Sequence, residues 1–272
     1  MSYIAPILFA LGIWWFSTVL MMWRSKRAQP RCHRTMAVMT GLAGAGLAAI
    51  WLTRDWNSDA GAYLAFLGGL SLWAWHEMSY FLAFVTGPRP AACPPGVSGA
   101  QRFWLGVKAS LWHELAVVAT AAALAWLTWD HVNAFGAITF MVLWIMRWSA
   151  KLNIYLGVRN LHEEFWPDHL RYLGSYVHTA PMNALFPVSM IGGGLAVAFM
   201  VQQAVQAGGS ALAPLVQTGW MLVATLMSLA MLEHLLMFLQ VSDEKLWRFA
   251  TGTEPVPAGP ELTVELTPGQ GS

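Results

Sequence analysis

Long apolar runs, broken by short polar or Gly/Pro segments, dominate this chain. Seven of them occupy residues 4–23, 36–52, 61–86, 103–128, 132–155, 183–205 and 213–241. A helix rises about 1.5 Å per residue, so about 20 apolar residues cross the ~30 Å hydrocarbon core of a bilayer. The second run is short for this, and the third and seventh are long. The pattern predicts an all-α polytopic transmembrane helical bundle of about seven helices over residues 1–250. The remaining residues, 251–272, are rich in Pro, Gly, Thr and Glu and predict a disordered tail. The breaks carry turn chemistry: Gly87-Pro88-Arg89-Pro90, Cys93-Pro94-Pro95-Gly96 and Gly208-Gly209-Ser210.

Composition sharpens this reading. Apolar residues make up 57% of the chain and charged ones 11%, where a soluble domain carries about a quarter charged residues. A net charge of +1 offers no basic surface for nucleic acid. Cys32 and Cys93, the two cysteines, form no disulfide framework and fall in loops assigned to the reducing side. The first apolar run has no basic residues before it. Its positive cluster, Arg24, Lys26 and Arg27, follows it, which is unlike a cleaved signal peptide.

Seven crossings place fourteen of the fifteen Lys and Arg residues on one side, leaving Arg54 alone on the other. Positive-inside bias makes the rich side cytoplasmic, with the N-terminus periplasmic and the C-terminus cytoplasmic. Trp14, Trp15, Trp51, Trp56, Trp126 and Trp129 fall near predicted helix ends, as interfacial anchors do. The expected location is a bacterial inner (intracytoplasmic) membrane.

Ionisable groups inside membrane helices are costly and mark function or a specific partner. Three predicted helices carry an adjacent His and Glu: His76-Glu77, His113-Glu114 and Glu233-His234. Each pair lies about eight to ten residues from the cytoplasmic end of its run, or ~12–15 Å. They therefore share a level and can face one another if their helices pack together. Imidazole with carboxylate suits iron above all, or zinc or manganese. Bundle cores build di-metal sites from Glu and His on several helices, although at i, i+3 spacing rather than as neighbours. Alternatively His76, His113 and His234 ligate a tetrapyrrole metal, bacteriochlorophyll or haem, with Glu77, Glu114 and Glu233 as hydrogen-bond partners or metal ligands. A third option is that the pairs simply hold the helices together by hydrogen bonds.

The polar connection between the fifth and sixth runs holds His162, Glu163, Glu164, Asp168 and His169. His162 and His169 are candidates for a second metal site there. The plainer alternative is an amphipathic headgroup-level segment anchored by Trp166 and Tyr172. Arg147 and Lys151, one turn apart near the same mouth, suit an anionic group such as a propionate or lipid phosphate. His33 and His131 read as surface histidines. Trp-His-Glu occurs twice, at 75–77 and 112–114, too short a match to establish an inverted repeat. Gly192-Gly193-Gly194 lies within an apolar run and reads as a close-packing device.

Trp75-His76-Glu77 with Gly87-Pro88-Arg89, then His113-Glu114, then Lys151 and Asn153 through Gly157, Asn160-Leu161, Glu164-Phe165 and Pro167-Asp168-His169-Leu170, resembles the photosynthetic complex assembly proteins of the PuhE type. The resemblance runs from about Ile4 to Gly252. It implies a protein of the photosynthetic membrane, encoded near the reaction-centre H subunit. The implied role is in reaction-centre and light-harvesting complex assembly and in bacteriochlorophyll supply. Reaction-centre or light-harvesting subunits and pigment biosynthesis proteins are then the implied partners, beside the lipid bilayer. It carries over no catalytic residue. Three functions stay open: a non-enzymatic assembly factor, a membrane metalloenzyme acting on a pigment precursor or lipid, and a proton-coupled transporter.

Overall fold

Among the described residues the apolar runs fold as seven long α-helices: α1 (Ile4–Arg27), α2 (His33–Thr53), α3 (Asp59–Phe81), α4 (Gly99–Leu127), α5 (Phe135–Leu156), α6 (Leu185–Gln206) and α7 (Ala213–Leu236). The computed structural model describes residues 3–27, 30–160 and 166–239. The tail expected at 251–272 lies outside the described residues. Among those described there is no β-strand, only a single bridge between Val158 and Thr179.

Six of the helices are long and apolar enough to cross a membrane: α1, α2, α4, α5, α6 and α7. The protein is thus a multi-pass membrane protein by helix length and composition. The remaining helix, α3, is 23 residues long and carries Asp59, His76 and Glu77. It occupies the middle of the bundle, packed against α1, α2, α4, α5 and α7. A helix sheathed by other helices needs no uniformly apolar surface, because its polar groups meet protein rather than lipid.

Close backbone approach builds this centre. Gly68 of α3 lies where a Cβ would fall 2.6 Å from the Gly46 carbonyl of α2. Small residues let membrane helices approach this way and gain van der Waals contact. The helix ends are tied by side chains. Asn133 donates to the carbonyls of Thr53 and Gly61, both at 3.0 Å, and accepts from the Phe135 amide, joining the ends of α2, α3 and α5. The Ser58 hydroxyl accepts from the Gly61 amide and caps α3. On the outside, α6 presents Val188, Ile191, Leu195 and Phe199, a stripe for lipid. Trp126 and Trp129, 80% and 75% exposed, flank the end of α4 as interfacial residues should. Trp14 and Trp15 depart from the anchor reading, since both sit in the middle of α1.

The run expected to be helical through residue 86 stops at Phe81. Leu82 is wholly buried and Ala83 takes a left-handed φ of +57°. The chain then turns back along α4 instead of leaving the bundle. The Phe84 and Val85 amides donate to the Ser79 carbonyl, and the Thr86 carbonyl accepts from the His113 amide at 2.9 Å. Gly87 sits against the α4 backbone, where a Cβ would come within 2.1 Å of the Lys108 carbonyl. Non-helical backbone inside a bundle survives when its polar groups are satisfied in this way. The Arg31 amide bonds the Leu82 carbonyl at 2.7 Å, so the α1–α2 turn is fastened to the same spot.

Gly87→Ala should therefore destabilise the detergent-solubilised protein by about 2–3 kcal/mol, the upper end of overpacking costs, because the obstacle is backbone. Gly41→Ala, where a Cβ meets open space, should leave the thermal midpoint unchanged. Equal midpoints for the two variants would refute the close seating of the loop.

Candidate functional site

The re-entrant segment sets α3 and α4 so that their His-Glu pairs meet. His76 and His113 approach edge-on with ring centroids 6.1 Å apart, and Tyr80 packs 4.9 Å from His113. All of these side chains are buried, with Glu77 and Glu114 only 7% and 8% exposed. Two buried carboxylates in such surroundings require cationic or hydrogen-bonding partners.

Helix α5 supplies them. Arg147 donates to Glu77 at 3.1 Å, and Lys151 pairs with Glu114. The two cations are spaced i, i+4 and so project from one face of α5. The Lys151 ammonium also lies 5.7 Å from the centre of the Tyr80 ring. Glu233 of α7 is exposed at the bundle surface, next to Trp14 of α1 and within electrostatic reach of Arg147 and Glu77. The anion-holding role that the sequence suggests for Arg147 and Lys151 is thus taken by the protein's own carboxylates. Two of the fourteen positive residues counted for the cytoplasmic side are half-buried and paired with carboxylates, and the other twelve still outnumber Arg54.

The histidines are held differently from one another. His76 Nε2 meets the Thr120 hydroxyl at 2.9 Å, while the Nδ1 atoms of His76 and His113 are buried without a partner. His234 is directed at α5, with Nδ1 donating to the Ala230 carbonyl at 2.7 Å and Nε2 at 2.9 Å from the Ser149 hydroxyl. The α7 pair therefore splits, with His234 buried against Ser149 and Glu233 exposed at the bundle surface. Among the described residues no group of three or more His, Cys, Asp or Glu side chains is arranged to hold a metal ion. His169 clasps the end of α3, its Nε2 2.8 Å from the Phe81 carbonyl. His162, with Glu163 and Glu164, lies outside the described residues.

A cleft of about 200 Å³ opens beside the cluster. Its walls are α4, α5 and a short 3-10 helix, Asp168–Tyr176, that straps across them. Phe103, Trp148, Leu152, Tyr155, Leu173 and Tyr176 form its apolar surface, and Glu114, Arg147 and Lys151 line the inner end. The strap is pinned by Tyr176, whose hydroxyl donates to the Ala91 carbonyl at 2.7 Å and meets Arg89. Burial raises the Tyr176 phenol above its ordinary value, so it stays a neutral donor. Asn183 donates to the carbonyls of Asn153 and Gly157 and caps the start of α6, closing the same end of the bundle.

Every element of this site falls inside one family match. The sequence model of a family described as "Protein of unknown function (DUF3623)" matches residues 1–258. The chain belongs to this DUF3623 family. It is also 36% identical over 262 residues, 95% of this chain and 93% of the other, to an "Uncharacterized 30.4 kDa protein in puhA 5'region" of Rhodobacter capsulatus. No solved structure matches it.

In this DUF3623 chain the residues that sequence reasoning missed as site members are Tyr80, Thr120 and Ser149. None is ionised at neutral pH, and nothing in its local pattern separates it from helix packing. The i, i+4 spacing of Arg147 and Lys151 was the available signal for a two-pronged cation. Lys151→Met should leave Glu114 buried and unpaired and lower stability by roughly 3 kcal/mol, the low end for breaking a buried pair. The double variant Lys151→Met/Glu114→Gln should recover most of that loss in thermal unfolding. No recovery would mean that the pair is not coupled.

Proposed function

We propose that this protein is a membrane-embedded assembly factor for the bacterial photosynthetic apparatus. It acts in reaction-centre and light-harvesting complex assembly by supplying or handling bacteriochlorophyll. The relative from the puhA 5' region and the PuhE-type resemblance support the process. The observation that carries the reading is the aromatic cleft with a self-neutralised polar end, a shape for receiving an apolar molecule rather than for performing a reaction.

In this reading all seven helices cross the inner (intracytoplasmic) membrane, with α3 shielded at the centre. The N-terminus is periplasmic, and the cleft and C-terminus are cytoplasmic, following the distribution of Lys and Arg. Reaction-centre or light-harvesting subunits and pigment biosynthesis proteins are its partners. His76, His113 and His234 do not line the cleft. The cleft, about 200 Å³, is also below the roughly 300 Å³ of small ordinary ligand pockets. A whole macrocycle therefore does not enter as the helices stand, and pigment handling through the cleft means contact with part of the molecule. The metalloenzyme alternative draws on the partnerless Nδ1 atoms of His76 and His113. Stoichiometric iron in the purified protein, without pigment, would favour it.

Deletion of the gene in a phototrophic host tests the assembly reading. Membrane absorption spectra should show the reaction-centre and light-harvesting bands reduced about fivefold or more, an effect equivalent to about 1 kcal/mol in a partition between assembled and unassembled subunits. Re-expression of the chain should restore them. Unchanged spectra in the deletion strain would contradict this function.

A further inference from the structure

The cleft has features that specify a ligand class. Its α4 wall climbs from Phe103 through Gly106, Val107 and Ser110 to Glu114, a run of about 17 Å at ~1.5 Å per residue. With a volume of about 200 Å³, it is long and narrow. Such a shape accepts a single hydrocarbon chain, and its walls of Phe103, Trp148, Leu152, Tyr155 and Leu173 match that chemistry.

The polar end sets the head of that chain. Both cations lining the cleft are already matched, Arg147 by Glu77 and Lys151 by Glu114. An anionic head would bring surplus negative charge into an apolar enclosure, and a cationic head would compete with the two resident cations. Two residues of the cleft wall also carry donors without an acceptor, Arg147 Nε and Trp148 Nε1, both closed off from solvent. An uncharged oxygen acceptor at the inner end suits a wall of donor-bearing residues and adds no charge to the matched pairs.

We infer that the cleft between α4, α5 and the Asp168–Tyr176 strap binds an uncharged ester of a long hydrocarbon chain, with its carbonyl toward Arg147 and Trp148. An isoprenoid ester such as a pigment tail and the acyl ester of a membrane lipid share this chemistry. The inference rests on the pigment-handling reading only for the source of the ester.

Photolabelling of the detergent-purified full-length chain tests it. The probes are hexadecyl acetate and hexadecanoic acid, each carrying the same alkyl diazirine. The acetate should label peptides spanning residues 103–110, 148–155 and 170–177 well above those of α6, and the acid should label them less. Ser110→Trp, or Leu173→Trp if the first variant fails to fold, should cut this labelling about tenfold by filling the cleft. Trp148→Phe should cut it about fivefold, as loss of one hydrogen bond of about 1 kcal/mol would. Labelling spread evenly onto α6 and indifferent to the blocking variants would overturn the site. Preference for the acid would overturn the uncharged head. Solvent extraction of protein purified from its host then assigns the source, with isoprenoid ester or acyl ester each supporting the class and free fatty acid alone contradicting it. Site-specific labelling with no assembly defect in the deletion strain would retire the proposed function and leave the ligand class standing.

Discussion

Arg147 and Lys151 stand one turn apart on α5, and each faces a carboxylate delivered by a different helix, Glu77 from α3 and Glu114 from α4. In a membrane bundle this arrangement is restrictive. A lone buried charge costs several kcal/mol, and it stays charged only where its partner is held in reach. Sliding α3 or α4 by a turn would separate both ends of a pair by about 5 Å and strand two charges. The paired charges thereby set the register of three helices, and the histidines, the re-entrant segment and the cleft take their positions from that register.

The re-entrant segment and the charge cluster depend on each other. Thr86 bonds the His113 amide and Gly87 lies on the Lys108 carbonyl, so the chain between α3 and α4 is itself part of the wall behind the cluster. The segment brings Glu77 and Glu114 to one level, and α5 then bridges them. The strap closes the outer side through His169 on the Phe81 carbonyl and Tyr176 on Ala91. The cleft is the space left where strap, α4 and α5 do not meet.

Much of this was legible in the sequence. The seven apolar runs match seven helices with ends mostly within a few residues, because about 20 apolar residues in a row have few other uses. The shared level of His76 and His113 was legible from their distances to the basic ends of their runs. The end of α3 was not. Leu82, Ala83, Phe84 and Val85 continue the apolar run, and the left-handed Ala83 is a conformation that alanine rarely takes, so no residue type announces it. The strap was legible only as an amphipathic segment around Trp166 and Tyr172, and its packing across α4 and α5 was not. The pairing of Lys151 with Glu114 spans 37 positions, and an i, i+4 cation pair reads identically whether it faces a headgroup or the bundle interior.

The most direct test is a double-mutant cycle on Glu77 and Arg147, read by reversible unfolding in mild detergent with Glu77→Gln, Arg147→Met and the combination. If this pair sets the register, the single losses should exceed what the double variant shows, with a coupling energy of about 2 kcal/mol. Losses that add to within about 0.5 kcal/mol would show that the two side chains do not depend on each other, and the account built on them would fail.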